Sequence, residues 1–210
     1  MSCYNIIHKE VKLKNLESNM EIEYKFWAGH FSKQQFHSLL ENAIGHKYEP
    51  KYVCSCDDYY TNSDNDSFLR YRKGGDRTEL TLKQKREGNV VRKEINLDMS
   101  PNDDSSVVEF LSLSGYRKAF SVFKEAWIWD FDDCDVSYYI LSDGRAVIEL
   151  EALVYKTAAE GMKIIDTWAE KLGCSQFKQE SRSLFEIFTE ELETMCSSEG
   201  CSVPKQESCN

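Results

Sequence analysis

The sequence contains no hydrophobic segment long enough to cross a membrane and carries no excess of positive charge. No run of about 18 apolar residues occurs, whereas a transmembrane helix needs about 20. Residues 1–5 lack the charged and then apolar pattern of a signal peptide. The formal net charge is −10, but proteins that bind a nucleic-acid duplex or a membrane surface need a basic field. We therefore expect a cytoplasmic protein with neither of these partners.

Histidines and cysteines are present but are not grouped as metal ligands. The four histidines form no ligand cluster in the sequence. Cys54 and Cys56 are separated by one residue, which is not the spacing of a zinc knuckle. Eight cysteines could form four disulfides, but free thiols are the more common state in a cytosolic chain of this length. The residues that carry chemistry must therefore be sought among the carboxylates and the basic side chains.

Residues 21–26 alternate strictly between charged and large apolar side chains. Side chains of a β-strand point alternately to its two faces, so Glu21, Glu23 and Lys25 share one face. The apolar face can pack on helices. The charged face must then contact water, a solvated cavity or a set of counter-charges.

A second strand with paired carboxylates spans residues 147–153, and basic strands lie between the two. Arg or Lys recurs at alternate positions in the segments 68–72, 80–85 and 90–97. A closed barrel would place such inward faces opposite one another. Because carboxylate oxygens bind Mg²⁺ or Mn²⁺ and basic side chains bind phosphate oxygens, this combination suits a metal-bound polyphosphate.

The remaining pattern indicates one α+β domain of ordinary size. Further strands are predicted at 51–60, 121–129 and 136–140, and capping and periodicity predict helices over 33–44, 100–111, 157–172 and 183–195. We expect residues 1–19 to be a leader, residues 20–192 the domain and residues 193–210 a disordered tail.

The order of motifs resembles the CYTH superfamily of triphosphate tunnel metalloenzymes. This superfamily includes class IV adenylyl cyclases, thiamine triphosphatases and inorganic tripolyphosphatases. The similarity extends over roughly residues 20–190, and the ordered set is more specific than any single motif. The matching segments are Glu21-x-Glu23-x-Lys25, Asp57-Asp58-Tyr59-Tyr60, Leu69-Arg70-x-Arg72, Leu80-Thr81-Leu82-Lys83, Arg92-x-Glu94, Glu149-x-Glu151 and Glu180 to Leu184.

The resemblance implies an eight-stranded antiparallel β-tunnel, a closed barrel with peripheral helices. It implies that Mg or Mn is the cofactor and that Glu21, Glu23, Glu149 and Glu151 are its ligands. The same four carboxylates and Lys25 are then the catalytic set, and Glu94 orients the cations. The phosphate-binding residues it implies are Lys25, Arg70, Arg72, Lys83, Arg92 and Lys124.

Two positions depart from the family pattern. After Lys124, the position usually held by Arg is Ala126, and an Asp usually found before the last acidic motif is replaced by Tyr139. Loss of one cation and one acidic ligand is compatible with a changed substrate, weaker catalysis or a binding protein built on an enzyme frame.

We expect a metal-dependent phosphohydrolase that acts on inorganic tripolyphosphate or on a nucleoside or thiamine triphosphate. One alternative is conversion of ATP to cyclic AMP and pyrophosphate, as in class IV adenylyl cyclases. Another is a catalytically weak tunnel that binds nucleotides or polyphosphate. The partner is a small-molecule triphosphate, and the expected assembly is a monomer or homodimer.

Overall fold

The computed structural model describes residues 20–63, 67–75, 78–84, 91–100 and 102–198, so the predicted leader and residues 199–210 of the predicted tail lie outside it. Its strands are β1 (Met20–Trp27), β2 (Lys51–Thr61), β3 (Ser67–Gly74), β4 (Glu79–Gln84), β5 (Val91–Asp98), β6 (Arg117–Asp130), β7 (Cys134–Leu141), β8 (Ala146–Ala152) and β9 (Lys178–Glu180). Its helices are α1 (Lys33–Ile44), α2 (Asp104–Leu113), α3 (Ala158–Lys171) and α4 (Leu184–Ser198).

Eight of these strands form one closed antiparallel barrel. They are hydrogen-bonded in the order β5-β4-β3-β2-β6-β7-β8-β1, and β1 returns to pair with β5. The short strand β9 pairs with the other half of the same β1 edge, opposite residues 25–27. The eight-stranded barrel is therefore confirmed. The ninth strand was not predicted, because three residues are too few to show an alternation.

The outer face of β1 and β8 is apolar and lies beneath α1 and α3. Ile22, Ile148 and Leu150 are fully buried in this layer together with residues of both helices. A Cβ atom added to Gly161 of α3 would lie 2.5 Å from Ile22 Cδ1 and 3.1 Å from Tyr155 Cγ. The absence of a side chain at Gly161 therefore lets α3 pack closely against the outer face of β1. The charged face of β1 then points into the barrel.

Helix α4 fills one end of the barrel. Leu184 and Phe185 are buried, and the Phe185 ring stacks on the ring of Phe68 at a centroid distance of 4.3 Å. The helix begins with a reciprocal cap, in which Ser183 Oγ accepts from the Glu186 amide and the Glu186 carboxylate accepts from the Ser183 amide. The barrel interior is consequently a cavity with a base.

Helix α2 begins later than the sequence pattern predicted. The predicted start at Ser100 is wrong, because the Asp103 carboxylate caps the helix by accepting from the Ser106 amide at 2.9 Å. Val107 and Leu111 then face the outer side of the barrel. None of the helices in the described chain combines the length and apolar character needed to cross a bilayer.

Candidate functional site

All eleven side chains that the sequence assigned to the site line one cavity of about 200 Å³ inside the barrel. Ser183, which caps α4, and Leu184, the first residue of α4, lie at its base. The structure thus brings the predicted residues together, and their individual roles stay predictions. The eleven residues are Glu21, Glu23, Lys25, Arg70, Arg72, Lys83, Arg92, Glu94, Lys124, Glu149 and Glu151.

The inward carboxylates of β1 and β8 form an acidic wall. Pairing of these strands sets Glu23 opposite Glu151 and Lys25 opposite Glu149. Lys25 Nζ lies 3.0 Å from Glu23 Oε1 and 3.4 Å from Glu149 Oε2. The Tyr139 hydroxyl donates to Glu149 Oε2 at 3.0 Å. The two acidic motifs, far apart in the sequence, are therefore joined by one lysine.

Barrel closure places a second group of charges beside this wall. Lys83 Nζ lies 2.8 and 2.9 Å from the two carboxylate oxygens of Glu21 and 2.7 Å from Glu94 Oε2. Arg92, which is opposite Glu21 in the β1–β5 register, lies 3.3 Å from Glu21 Oε2 and 3.1 Å from Glu23 Oε1. Four strands therefore meet in one charged network.

The environment moves the pKa values of two neighbouring carboxyls in opposite directions. Burial and the nearby Glu23 raise the pKa of Glu21 to about 8, although Lys83 opposes this shift. Burial alone would also raise the pKa of Glu94, but Lys83 and Arg70 hold this pKa below the ordinary range. Of these two carboxyls, Glu21 is therefore the one whose surroundings favour the protonated form.

Arg70 presents a donor that the described residues do not satisfy. Its Nη2 donates to Glu79 Oε1 at 3.2 Å and to Thr81 Oγ1 at 3.0 Å. Its buried Nε has no hydrogen-bond partner in the described ranges. An unsatisfied buried donor costs about 1–3 kcal/mol, so an anion in the cavity would stabilise this guanidinium.

The chemistry of the acidic wall fits a divalent metal, but a complete metal cluster is not preformed. No three carboxylate, histidine or cysteine side chains within the described residues converge to hold an ion. Glu23 and Glu149 instead share Lys25. Mg²⁺ and Mn²⁺ favour such oxygen ligands, and all four predicted ligands offer them. Both oxygens of Glu21 already contact Lys83 Nζ, so Glu23, Glu149 and Glu151 are the side chains that fit this role best.

Sequence reasoning missed three carboxylates in or behind the cavity. Glu79 and Asp135 line it, and Asp57 lies in the wall between Arg72 and Lys124. Strand alternation could have identified all of them. The predicted fourth strand began one residue after Glu79, which shares the inward face of β4.

The two departures from the family pattern both face the cavity. Ala126 and Tyr139 are directly opposite each other in the β6–β7 register, and Lys124 lies on the same face as Ala126, as predicted. Lys124 Nζ is 5.1 Å from the centre of the Tyr139 ring. Although Tyr139 replaces the expected Asp, β7 carries Asp135 on its inward face, opposite Glu151.

Comparisons of the fold agree with this architecture. No protein-family model and no curated protein sequence matches the chain. The PH1819 protein of Pyrococcus horikoshii is similar with a TM-score of 0.65 and 22% identity, over 81% of this chain and 99% of that one. A candidate adenylate cyclase of Vibrio parahaemolyticus gives a TM-score of 0.61 and 14% identity, over 82% and 99%.

A third similar structure is named for an assembly. A chain of the Schizosaccharomyces pombe Mediator head module gives a TM-score of 0.58 and 13% identity, over 74% of this chain and 95% of that chain. One fold therefore occurs in proteins named for different roles, so the fold alone does not define the function of this chain. The barrel order and these similarities together show that the chain shares the fold of these structures, a closed eight-stranded antiparallel barrel with peripheral helices.

Proposed function

We propose that this protein is a divalent-metal-dependent phosphohydrolase that acts on a triphosphate, either inorganic tripolyphosphate or a nucleoside or thiamine triphosphate. The observation that carries the proposal is the convergence of six Lys and Arg side chains in a cavity closed at one end by α4. Basic side chains that point into an enclosed space fit a compact polyanion. The volume of about 200 Å³ suits a chain of phosphates better than a whole nucleotide.

Charge balance supports the metal requirement. The six cations of the cavity lining are accompanied by seven carboxylates, so a polyanion would enter a site without positive excess. Glu23, Glu149 and Glu151 would hold Mg or Mn. When bound, the ion would polarise a phosphoryl oxygen and balance negative charge.

The protein side chains supply orientation and electrostatic stabilisation. Arg70 and Arg72 lie at alternate positions of β3 and can contact successive phosphate oxygens through planar guanidinium groups. Lys83 and Arg92 lie where the phosphates would meet the acidic wall. Charges fixed in this way favour a transition state with more negative charge on the transferred group.

Cyclisation of ATP is a second candidate because part of the cavity wall is uncharged. Val53, Ala126 and Ile128 line the cavity beside Ser55 and Ser137. This strip could contact the organic part of a nucleotide, and a structural neighbour is named as a candidate adenylate cyclase. Binding without turnover is the third possibility, since ion pairs with carboxylates already engage the cavity cations.

Product analysis distinguishes these functions. The protein is incubated with tripolyphosphate, ATP or thiamine triphosphate in the presence of Mg²⁺ or Mn²⁺, and orthophosphate, pyrophosphate and cyclic AMP are measured. Orthophosphate release supports hydrolysis, and cyclic AMP with pyrophosphate supports cyclisation. Arg70→Ala should reduce activity, whereas Lys73→Ala, on the outer face of the same strand, should retain it. Binding without any product would contradict the enzymatic proposal.

A further inference from the structure

Two adjacent carboxylates on β2 point to opposite sides of the barrel wall. Asp57 faces the interior and Asp58 the exterior, and their exposed fractions are 0% and 2%. Each interacts with two cations. Asp58 Oδ2 lies 3.0 Å from Lys73 Nζ, and its Oδ1 lies 2.7 Å from Lys118 Nζ. The two carboxylates are therefore similarly inaccessible, although Lys73 and Lys118 are more exposed than Arg72 and Lys124, and of the two only Asp57 adjoins the cavity.

The interior centre joins cations from both neighbours of β2. Arg72 of β3 donates through Nε to Asp57 Oδ1 at 2.7 Å and through Nη2 to Oδ2 at 2.9 Å. Lys124 of β6 lies 3.0 Å from the same Oδ2. Both cations also line the cavity. Three strands are thus connected at the level where a phosphate would bind.

We propose that Asp57 is a positioning residue that holds Arg72 and Lys124 as a fixed pair of phosphate-binding groups. This inference rests on the proposed binding of a triphosphate. Two buried cations repel each other, and a shared carboxylate offsets that repulsion without occupying the cavity. Arg72 contacts Asp57 through both Nε and Nη2. This two-point contact fixes the plane of the guanidinium and leaves Nη1 directed as a donor for a ligand.

The charge state of Asp57 agrees with this role. Burial alone would raise the pKa of Asp57. Arg72 and Lys124 nevertheless hold this pKa well below its ordinary value. Burial and the neighbouring Arg72 lower the pKa of Lys124 to about 8, while Asp57 opposes that change. Arg70 and Glu149 are the other charged groups that act on Lys124. Asp57 therefore helps to keep this ammonium charged near neutral pH.

Matched substitutions separate positioning from a general structural effect. Asp57→Asn and Asp58→Asn each remove one buried negative charge from adjacent positions of one strand. We expect Asp57→Asn to weaken tripolyphosphate binding at least tenfold by calorimetry, and Asp58→Asn to change it less than twofold. Denaturant unfolding of both variants measures the structural cost. Equal loss of affinity in both, or unchanged affinity in Asp57→Asn, would overturn the inference.

Asp57→Glu provides a second variant if the amide does not fold. It retains the charge but moves the carboxylate one methylene further from the backbone and toward the cavity, so the positioning role predicts weaker tripolyphosphate binding in a folded protein. Affinity equal to that of the unsubstituted protein would show that charge alone suffices and would reject positioning.

A ligand-free measurement keeps this test separate from the proposed function. NMR of ¹³C-methylated lysines follows the titration of Lys124, which should shift to lower pH in Asp57→Asn but not in Asp58→Asn. An unchanged Lys124 titration in Asp57→Asn would contradict the inference. If the unsubstituted protein fails to bind tripolyphosphate but the Lys124 titration shifts in Asp57→Asn, the proposed ligand is wrong. The coupling between Asp57 and Lys124 is then still supported.

Discussion

At the scale of single residues, Glu21 makes the stability of the ligand-free protein depend on pH. Its pKa in the folded state is about 8, compared with an ordinary value of 4.5. The folded protein therefore holds this proton more tightly than the unfolded chain. The resulting stabilisation is fully present below pH 4.5 and is lost as the pH rises through about 8.

We expect the free energy of unfolding without ligand to decrease over this pH range and the decrease to be smaller in Glu21→Gln. The amide cannot ionise, so it removes this contribution while leaving Glu94 as a partner of Lys83. Urea unfolding at several pH values measures the slope. The same slope in both proteins would contradict the assigned role of Glu21.

Lys124 should make triphosphate affinity depend on pH. Since its pKa is lowered to about 8, its positive charge is lost as the pH rises through that value. The ratio of the affinities of the unsubstituted protein and Lys124→Met for tripolyphosphate should therefore fall across this range. Taking the ratio cancels the titration of the ligand itself.

Lys73→Met, on the outer face of β3, is the control for this measurement. The hydrogen bond with Asp58 raises the pKa of Lys73 above the ordinary value, although burial opposes this change. The affinity ratio for Lys73→Met should therefore stay constant over the same range. A falling ratio for Lys73→Met, or a constant one for Lys124→Met, would contradict the role assigned to Lys124.

At the scale of secondary structure elements, β6 lacks on its inward face the basic residue that the family pattern contains. Ala126 faces the cavity two residues after Lys124. In Ala126→Arg, a guanidinium should reach the same phosphates and tighten tripolyphosphate binding by about 1.5–3 kcal/mol. Calorimetry tests this, with Glu125→Arg on the outer face as the control.

The turnover rate of Ala126→Arg distinguishes an enzyme adapted to another substrate from an enzyme with weakened catalysis. An enzyme adapted to a less charged substrate should turn over that substrate no faster, whereas a weakened enzyme should gain rate from a low baseline. If neither affinity nor rate changed, an Arg at this position would not contact the ligand.

Helix α4 should contribute strongly to stability through Phe185. Its ring is buried at the end of the barrel, with ring centroids of Phe68 and Phe120 at 4.3 and 5.8 Å. Phe185→Ala should lower the free energy of unfolding by about 3–5 kcal/mol, the range for removal of a buried aromatic ring. Chemical denaturation measures this. Leu192→Ala, at an exposed position of the same helix, should cost far less.

The resemblance to the CYTH superfamily supplied the full set of expected site residues, including Lys124. The alternation of charged and apolar residues predicted the charged inward faces of β1, β3, β4, β5 and β8, because a period of two is visible in a single strand. It did not reveal that α4 closes the barrel, since burial of Phe185 depends on contacts with Phe68 and Phe120 from remote strands. The pairing of Asp57 with Lys124 was likewise hidden, because it depends on the β2–β6 register.

At the scale of the whole molecule, ligand binding should stabilise the fold. A ligand at one hundred times its dissociation constant adds about 2.7 kcal/mol to the free energy of unfolding, which for this chain length corresponds to roughly 5–10 °C in melting temperature. We expect tripolyphosphate with Mg²⁺ to produce such a shift, and expect the shift to be reduced in Arg70→Ala and retained in Lys73→Ala. A melting temperature unaffected by the ligand in calorimetry would contradict binding in the cavity.

The closure of the barrel by β1 also bears on how the cavity is assembled during folding. The first described strand must find β5, β8 and β9, which come from the middle and the end of the chain. Contacts between segments so distant in sequence form slowly, because the connecting chain must first lose entropy. Glu23 and Glu151 become neighbours only when β1 and β8 pair. An amino-terminal fragment released before β8 is synthesised would therefore lack half of the acidic wall, and competence to bind a ligand should emerge in the same kinetic phase as barrel closure.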